Sequence, residues 1–209
     1  MRERFMGQLV LLHEQLTDMG ELCKEAIAAS MRALAGEKAA VARTGELEQR
    51  IDRAEDDIQT MCLRILLRQQ PVAGDLRTVS AALKMISDLE RIGDQADDIA
   101  EIARTLPPEL PGEIPHLQEM ASAASEMVTD SVEAFVRQDI ALARHTQRED
   151  DRVDALFDEV KTELAARIAD NPAEGAQCLE LLMVAKYLER IGDHAVNVAQ
   201  WVEYALLRR

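Results

Sequence analysis

The chain has 209 residues, 47% of them apolar, enough to bury a core in one elongated domain or two small ones. Its formal charge of −15, from 39 acids against 24 bases with no Lys/Arg run, opposes approach to a polyanion and argues against nucleic acid as a partner. Aromatics make up only 3%, so Leu, Ile, Val, Ala and nine Met must fill the core, a mixture that suits interlocking helices; the expected fold is all-α.

Breakers are few and clustered, so each helix is bounded by what interrupts it. The opening stretch, MRERFMGQLVLLHEQL, breaks its apolar positions with polar residues and does not read as a signal peptide. It begins a first helix over about Arg4 to Leu34, ending near Gly36. A second spans about Glu37 to Gln69, and QQPVAGD, with Pro71 and Gly74, turns into a third over Leu76 to Thr105. LPPELPGEIP (Leu106 to Pro115) holds four prolines in ten residues and cannot continue a helix. It divides the chain into residues 1–106, a linker at 107–115, and residues 116–209. Helices are then expected over His116 to Val136, Asp139 to Ala169 and Ala173 to Leu207, with Asp170, Asn171 and Pro172 turning between the last two. Trp201 is expected to pack at the end of the last helix or at a dimer contact.

No run approaches the roughly 18 apolar residues that span a bilayer, so any membrane association is expected to run through a partner. Cys23, Cys62 and Cys178 are odd in number and widely spaced, which indicates neither a disulfide framework nor a thiolate metal site and fits a reducing cytosol.

The two halves look like copies. LERIGD occurs at Leu89 to Asp94 and again at Leu188 to Asp193, an offset of 99. Ile51, Asp52 and Asp56 match Val153, Asp154 and Asp158 at an offset of 102, and the difference falls in the turn between the second and third helix of each half, where deletions are tolerated. Two tandem three-helix units are the simplest architecture.

On the third helix Glu90, Asp94, Asp98 and Glu101 fall within a sector of roughly 80° at about 100° per residue. From the sequence two readings of this stripe stand. It is the solvated face of an ordinary amphipathic helix, or it is one wall of a carboxylate site. The second gains from Leu76, Val79, Leu83 and Ile86, which share that azimuth, and from Glu48, Asp52 and Asp56, an i, i+4 series on the preceding helix. The second half repeats it with Asp150, Asp154 and Asp158 facing Glu189, Asp193 and Asn197. Like charges at i, i+4 repel by a few tenths of a kcal/mol each, so facing series call for a cation, an Arg or water between them. Oxygen ligands without thiolates suit Mg, Ca, Mn or Fe. Arg91 and Arg190 offer the competing explanation, inter-helix ion pairs. Gly93 and Gly192 inside helices cost about 1 kcal/mol each against Ala, which points to close helix approach or room for a ligand. His194, whose counterpart is Gln95, reads as a hydrogen-bonding residue rather than a ligand.

No Gly-rich phosphate loop, HExxH, GxSxG or Cys-His nucleophile arrangement is present, so an enzyme is not expected. A metal-dependent phosphatase-like or metal-storage helical protein is the alternative class; its di-iron form pairs Glu with Glu-x-x-His, and no ExxH occurs on the candidate helices.

RQQPVAGDLRTVSAALKMISDLERIGDQADDIAE, followed at a distance by LLMVAKYLERIGDHAVNVAQ, closely resembles the two repeats of the PhoU family, accessory regulators of bacterial phosphate transport. The resemblance covers essentially the whole chain. It implies two three-helix bundles side by side in a cytoplasmic, homodimeric, non-enzymatic protein that restrains phosphate uptake and phosphate-starvation signalling. The implied partners are the ATPase subunit of the phosphate ABC transporter and the phosphate-sensing histidine kinase, which would place it peripherally at the inner membrane. Some members bind iron or zinc clusters through E(D)xxxD motifs. Those motifs map here onto Asp52 and Asp56 with Glu90 and Asp94, and onto Asp154 and Asp158 with Glu189 and Asp193. Asp98, standing where the family pattern has Asn, and its counterpart Asn197 complete the implied metal ligands.

Overall fold

The helices begin and end where backbone chemistry requires. In this computed structural model residues 2–69, 71 and 74–207 are described. Helix α1, Arg2–Leu34, closes in a Schellman turn: Gly36 takes φ +90°, its N–H bonds Ala33 O at 2.9 Å, and Glu37 N–H bonds Arg32 O at 3.0 Å. A side chain at Gly36 would also strike Pro108, since a Cβ there would lie 2.6 Å from the proline ring. Helix α2, Lys38–Gln69, returns antiparallel to α1. Helix α3 is Gly74–Ile102 and so starts at the glycine of the expected turn; Gln70, Val72 and Ala73 of that turn lie outside the described residues.

The sequence pattern carries α3 to Thr105, but the helix ends at Ile102. Arg104 and Thr105 bond instead to the carbonyls three residues back, both at 3.1 Å, as the chain tightens ahead of Pro107. The Pro-rich segment then follows a packed path. Leu106, Leu110 and Ile114 are buried, and a 3-10 turn at Pro111–Glu113 is tied down by Glu113, whose carboxylate meets Arg167 at 2.6 Å. Helix α4, Pro115–Arg137, ends on Gln138 in the left-handed region. Asp139 then caps α5, Ile140–Asp170, accepting from the N–H groups of Ala141 and Leu142 at 2.8 and 3.1 Å. A second 3-10 turn at Pro172–Glu174 leads into α6, Gly175–Leu206. No strand occurs among the described residues, and no helix there is long and apolar enough to cross a membrane.

Helices α1–α3 form one bundle and α4–α6 another. The bundles meet along two seams, α3 on α6 and α1 on α4, leaving α2 and α5 on the outer flanks. The central helices are therefore covered on several sides, which explains why Val79 and Ile86 are buried even though they share an azimuth with the acids. A single core runs through both repeats, from Leu12, Leu16 and Met19 through Leu89 and Ile92 to Met127, Leu181 and Leu188. Each such side chain contributes about 1.5–3 kcal/mol by leaving water.

Candidate functional site

In the first repeat α2 and α3 run antiparallel and bring acids from both helices together. Carboxylate oxygens of Glu48, Asp52 and Asp94 lie within 4.8 Å of one another, with Glu48 and Asp94 half-buried. Glu90, one turn before Asp94, is 19% exposed. Glu90, Asp94 and Asp98 are thus partly sunk between helices, while Glu101 of the stripe and Asp52 of the trio face solvent. Burial, followed by the charge of Asp52, pushes the Glu48 carboxyl up to about 7, with Asp97 and Asp94 adding to it. Burial also raises Glu90, and Asp94 raises it further, while Arg91 acts in the opposite direction. That arginine is an intrahelical neighbour: it reaches Asp94 at 2.8 Å and Glu90 at 3.3 Å from an exposed position, and does not bridge helices.

The second repeat sets Asp150 and Asp154 of α5 against Glu189 and Asp193 of α6. Burial pushes the Asp150 carboxyl up to about 6, with Asp154, Asp193 and Glu189 following as causes. Asp193 is raised by burial and then by Glu189, against the pull of Lys186, which binds Glu189 at 2.6 Å. Asp150 Oδ1 and Glu189 Oε2 are buried with no hydrogen-bond partner among the described residues. An orphaned buried acceptor costs about 1–3 kcal/mol, so the pocket chemistry calls for a proton, a water or a cation there. A hard divalent cation suits an all-oxygen donor set of this kind; among the described residues three carboxylates converge to within 4.8 Å in the first repeat.

Not all the sequence candidates gather at these two places. Asp56 is exposed, and the acid of that turn that reaches α3 is Glu55, whose Oε1 accepts from Ser87 Oγ at 2.9 Å. Asp158 is 70% exposed and pairs with Lys161 on its own helix. Asp98 and Asn197 belong to the seam between repeats. Burial and then the charge of Asp94 raise the Asp98 carboxyl, with Arg190 of the other repeat the smallest influence and opposed to them, while Asn197 donates to Asp88 Oδ1 at 3.1 Å, the same oxygen that His194 Nδ1 meets at 3.0 Å. Glu48 and Asp150 are the members that the E(D)xxxD mapping leaves out. Their signal is the preceding position of each i, i+4 series, which a helical hairpin with a short turn sets opposite Asp94 and Asp193.

The PhoU domain model matches twice, over residues 16–103 and 117–202, one match for each bundle and its carboxylate cluster. The chain belongs to the PhoU family. A crystal structure of PhoU from Pseudomonas aeruginosa superposes with a TM-score of 0.87 at 31% identity, covering 97% of this chain and 98% of that one. A Clostridium acetobutylicum protein, a phosphate-specific transport system accessory protein PhoU homolog, is 32% identical over 208 residues, 98% of this chain and 95% of its own length. A Deinococcus radiodurans protein of the same description is 38% identical over 162 residues, 76% of this chain and 75% of that protein. The tandem bundles of this chain are therefore the PhoU architecture, and its break between matches, 104–116, contains the Pro-rich segment.

Proposed function

We propose that this chain is a non-enzymatic adaptor of phosphate uptake: when phosphate is plentiful it binds the ATPase subunit of the phosphate ABC transporter and holds the phosphate-sensing histidine kinase in its non-signalling state. The observation that carries this is the full-length two-repeat match to proteins described as accessory to phosphate-specific transport. The chemistry agrees with action by contact. The cations nearest the clusters, Arg91 and Lys186, are engaged with acids of their own helices, and the surface is one of helices with a charge of −15. In this reading the protein is a cytoplasmic homodimer, brought to the membrane face by its partners.

The carboxylate clusters serve as modulatory metal sites in the same reading. Glu48, Asp52, Glu90 and Asp94 would hold a divalent ion such as iron or zinc in the first repeat, and Asp150, Asp154, Glu189 and Asp193 in the second. Bound there, the ion supplies positive charge that lets acids of neighbouring helices stay ionised side by side. Affinity capture of the tagged chain from phosphate-replete cells tests the adaptor role. Enrichment of both transporter ATPase and sensor kinase is expected; recovery of neither overturns it.

A further inference from the structure

A concave feature also lies between the two bundles, outside the carboxylate clusters. A cleft of about 700 Å³ opens between α2, α3 and α6, lined by Leu63, Leu83, Lys84, Asn197, Gln200 and Trp201 among others. Leu63 is 11 residues beyond Asp52 on α2, roughly 16 Å along the helix, so this is not the carboxylate site. Large apolar side chains continue from the cleft onto the surface: Leu63 is 48% exposed, and Leu67, Leu76, Tyr204 and Leu207 are exposed with it. Trp201 stands half-buried against Tyr204, with ring centroids 5.8 Å apart and nearly perpendicular.

The charge here is opposite to that of the molecule. Between Ile58 and Lys84 the sequence carries Arg64, Arg68, Arg77 and Lys84 against the single acid Asp75. None of those four cations is in an ion pair among the described residues, whereas nearby acids on α6 and α3 are engaged. Glu203 is turned towards α5, held by Arg144 at 2.6 Å and Gln147 at 3.3 Å, and Asp88 at the inner end of the cleft is held by His194 and Asn197. Leu63, Leu83 and Trp201 thus make an apolar strip along a cleft whose other walls are polar, beside a stretch of chain that is basic within a strongly acidic protein.

We propose that this cleft is a docking groove for an acidic amphipathic helix of a partner protein. Leucine-type anchors at i, i+3/i+4 and i+7 would lie along Leu63, Leu83 and Trp201, and Glu or Asp on the flanks would meet the exposed Arg68 and Lys84. The cleft spans Gln59 to Leu63 on α2, about 6 Å, and the exposed Leu67 one turn further on extends the face to about 12 Å, two turns of such a helix. A flat anionic bilayer cannot enter a cleft, and the charge of the whole chain repels it. A second copy docked through the same face would set the four cations against themselves. The groove names a surface and a partner chemistry beyond the adaptor reading and stands whichever protein supplies the helix.

Trp201 is the single tryptophan in the chain, so its fluorescence reports occupancy directly. The purified protein is titrated with a synthetic 18-residue amphipathic helix bearing Leu anchors and Glu flanks, with the same peptide bearing Lys flanks, and with vesicles containing phosphatidylglycerol. The expected result is a saturable Trp201 blue shift with the Glu-flanked peptide alone. Binding should weaken by about tenfold or more in R68E/K84E and in L63E, all exposed substitutions whose folding is checked by circular dichroism. Equal binding of the Lys-flanked peptide, no loss in the variants, no response at saturation, or a response to vesicles instead would overturn the proposal. So would self-association in sedimentation that L63E abolishes.

Discussion

Gly93 on α3 and Ile51 on α2 sit so close that a Cβ built on the glycine would lie 2.9 Å from Ile51 Cδ1 and 3.3 Å from its Cγ2. The corresponding glycine of the second repeat, Gly192, is less confined. A Cβ there would meet Val153, Met127 and Asp150 only at 3.6 to 3.7 Å, ordinary contact distance. The same LERIGD residue thus fixes helix approach in one repeat and not in the other. Gly93→Ala forces a β-branched side chain to shift, and should lower stability by about 1 kcal/mol net after the gain in helix propensity. Gly192→Ala should raise it by up to about 1 kcal/mol. Urea unfolding of both variants checks the opposite signs.

The helices were legible because so few residues interrupt them. Gly36 and the prolines at 107, 108 and 111 sit at real ends. The sequence pattern carries α3 three residues too far because Ala103, Arg104 and Thr105 all tolerate helix, and the constraint from Pro107 acts through backbone geometry a few residues away. Tertiary cover was not legible: nothing in the period of α3 says that its acids are half-buried, since that depends on how α3 beds against α2 and α6. Six of the eight acids of the two clusters, Asp52, Glu90, Asp94, Asp154, Glu189 and Asp193, could be read because they lie at facing helix positions. Asp98 and Asn197 share the acidic face by periodicity alone, and the helices present that part of the face to the other repeat.

The polar knot on the seam makes the repeats depend on each other. Asp88 of α3 meets both His194 and Asn197 of α6, with the Asp88 side chain only 16% exposed. Removing the acceptor leaves two half-buried donors at the inner end of the cleft without their charged partner. Asp88→Ala should cost about 1–3 kcal/mol, and Asn197→Ala less, since His194 keeps its partner. Because the contact spans the repeats, hydrogen exchange at the facing turns of α3 and α6 should speed up together in Asp88→Ala. Faster exchange confined to one helix would contradict this coupling.

Acid clusters held between helices also set a pH dependence. Glu48 moves from 4.5 up to about 7 on folding, and Asp150 from 3.8 up to about 6. A raised carboxyl binds more protons in the folded state, so its contribution to stability is complete below the unfolded value and is lost as the pH rises through the folded one. Metal-free protein should therefore lose stability between roughly pH 4 and pH 7. Both groups keep solvent contact, so the loss is discounted to about 1 kcal/mol or less for each. Glu48→Gln and Asp150→Asn should flatten the profile and leave the protein more stable than wild type at pH 8, as thermal melts in chelator across that range would show.

A divalent cation should reverse that penalty, since it binds the ionised acids of the folded chain and finds no preformed site in the unfolded one. At a free concentration 100 times its Kd, one ion adds about 2.7 kcal/mol, enough to raise the melting temperature by several degrees in a chain of this size. Asp94→Asn removes one of the three oxygens that converge in the first repeat, and Asp193→Asn weakens the facing set in the second. Each single variant should retain the metal of the other repeat, giving roughly half the wild-type content by elemental analysis, and the double variant should show neither bound metal nor a thermal shift. Chelation of the wild type should return its melting temperature to that of the double variant or below, because the stripped protein keeps the full carboxylate repulsion that the asparagines relieve. Wild-type protein that carries no metal and melts unchanged on addition of iron, zinc or manganese would mean that the acids are held apart by protons and water alone.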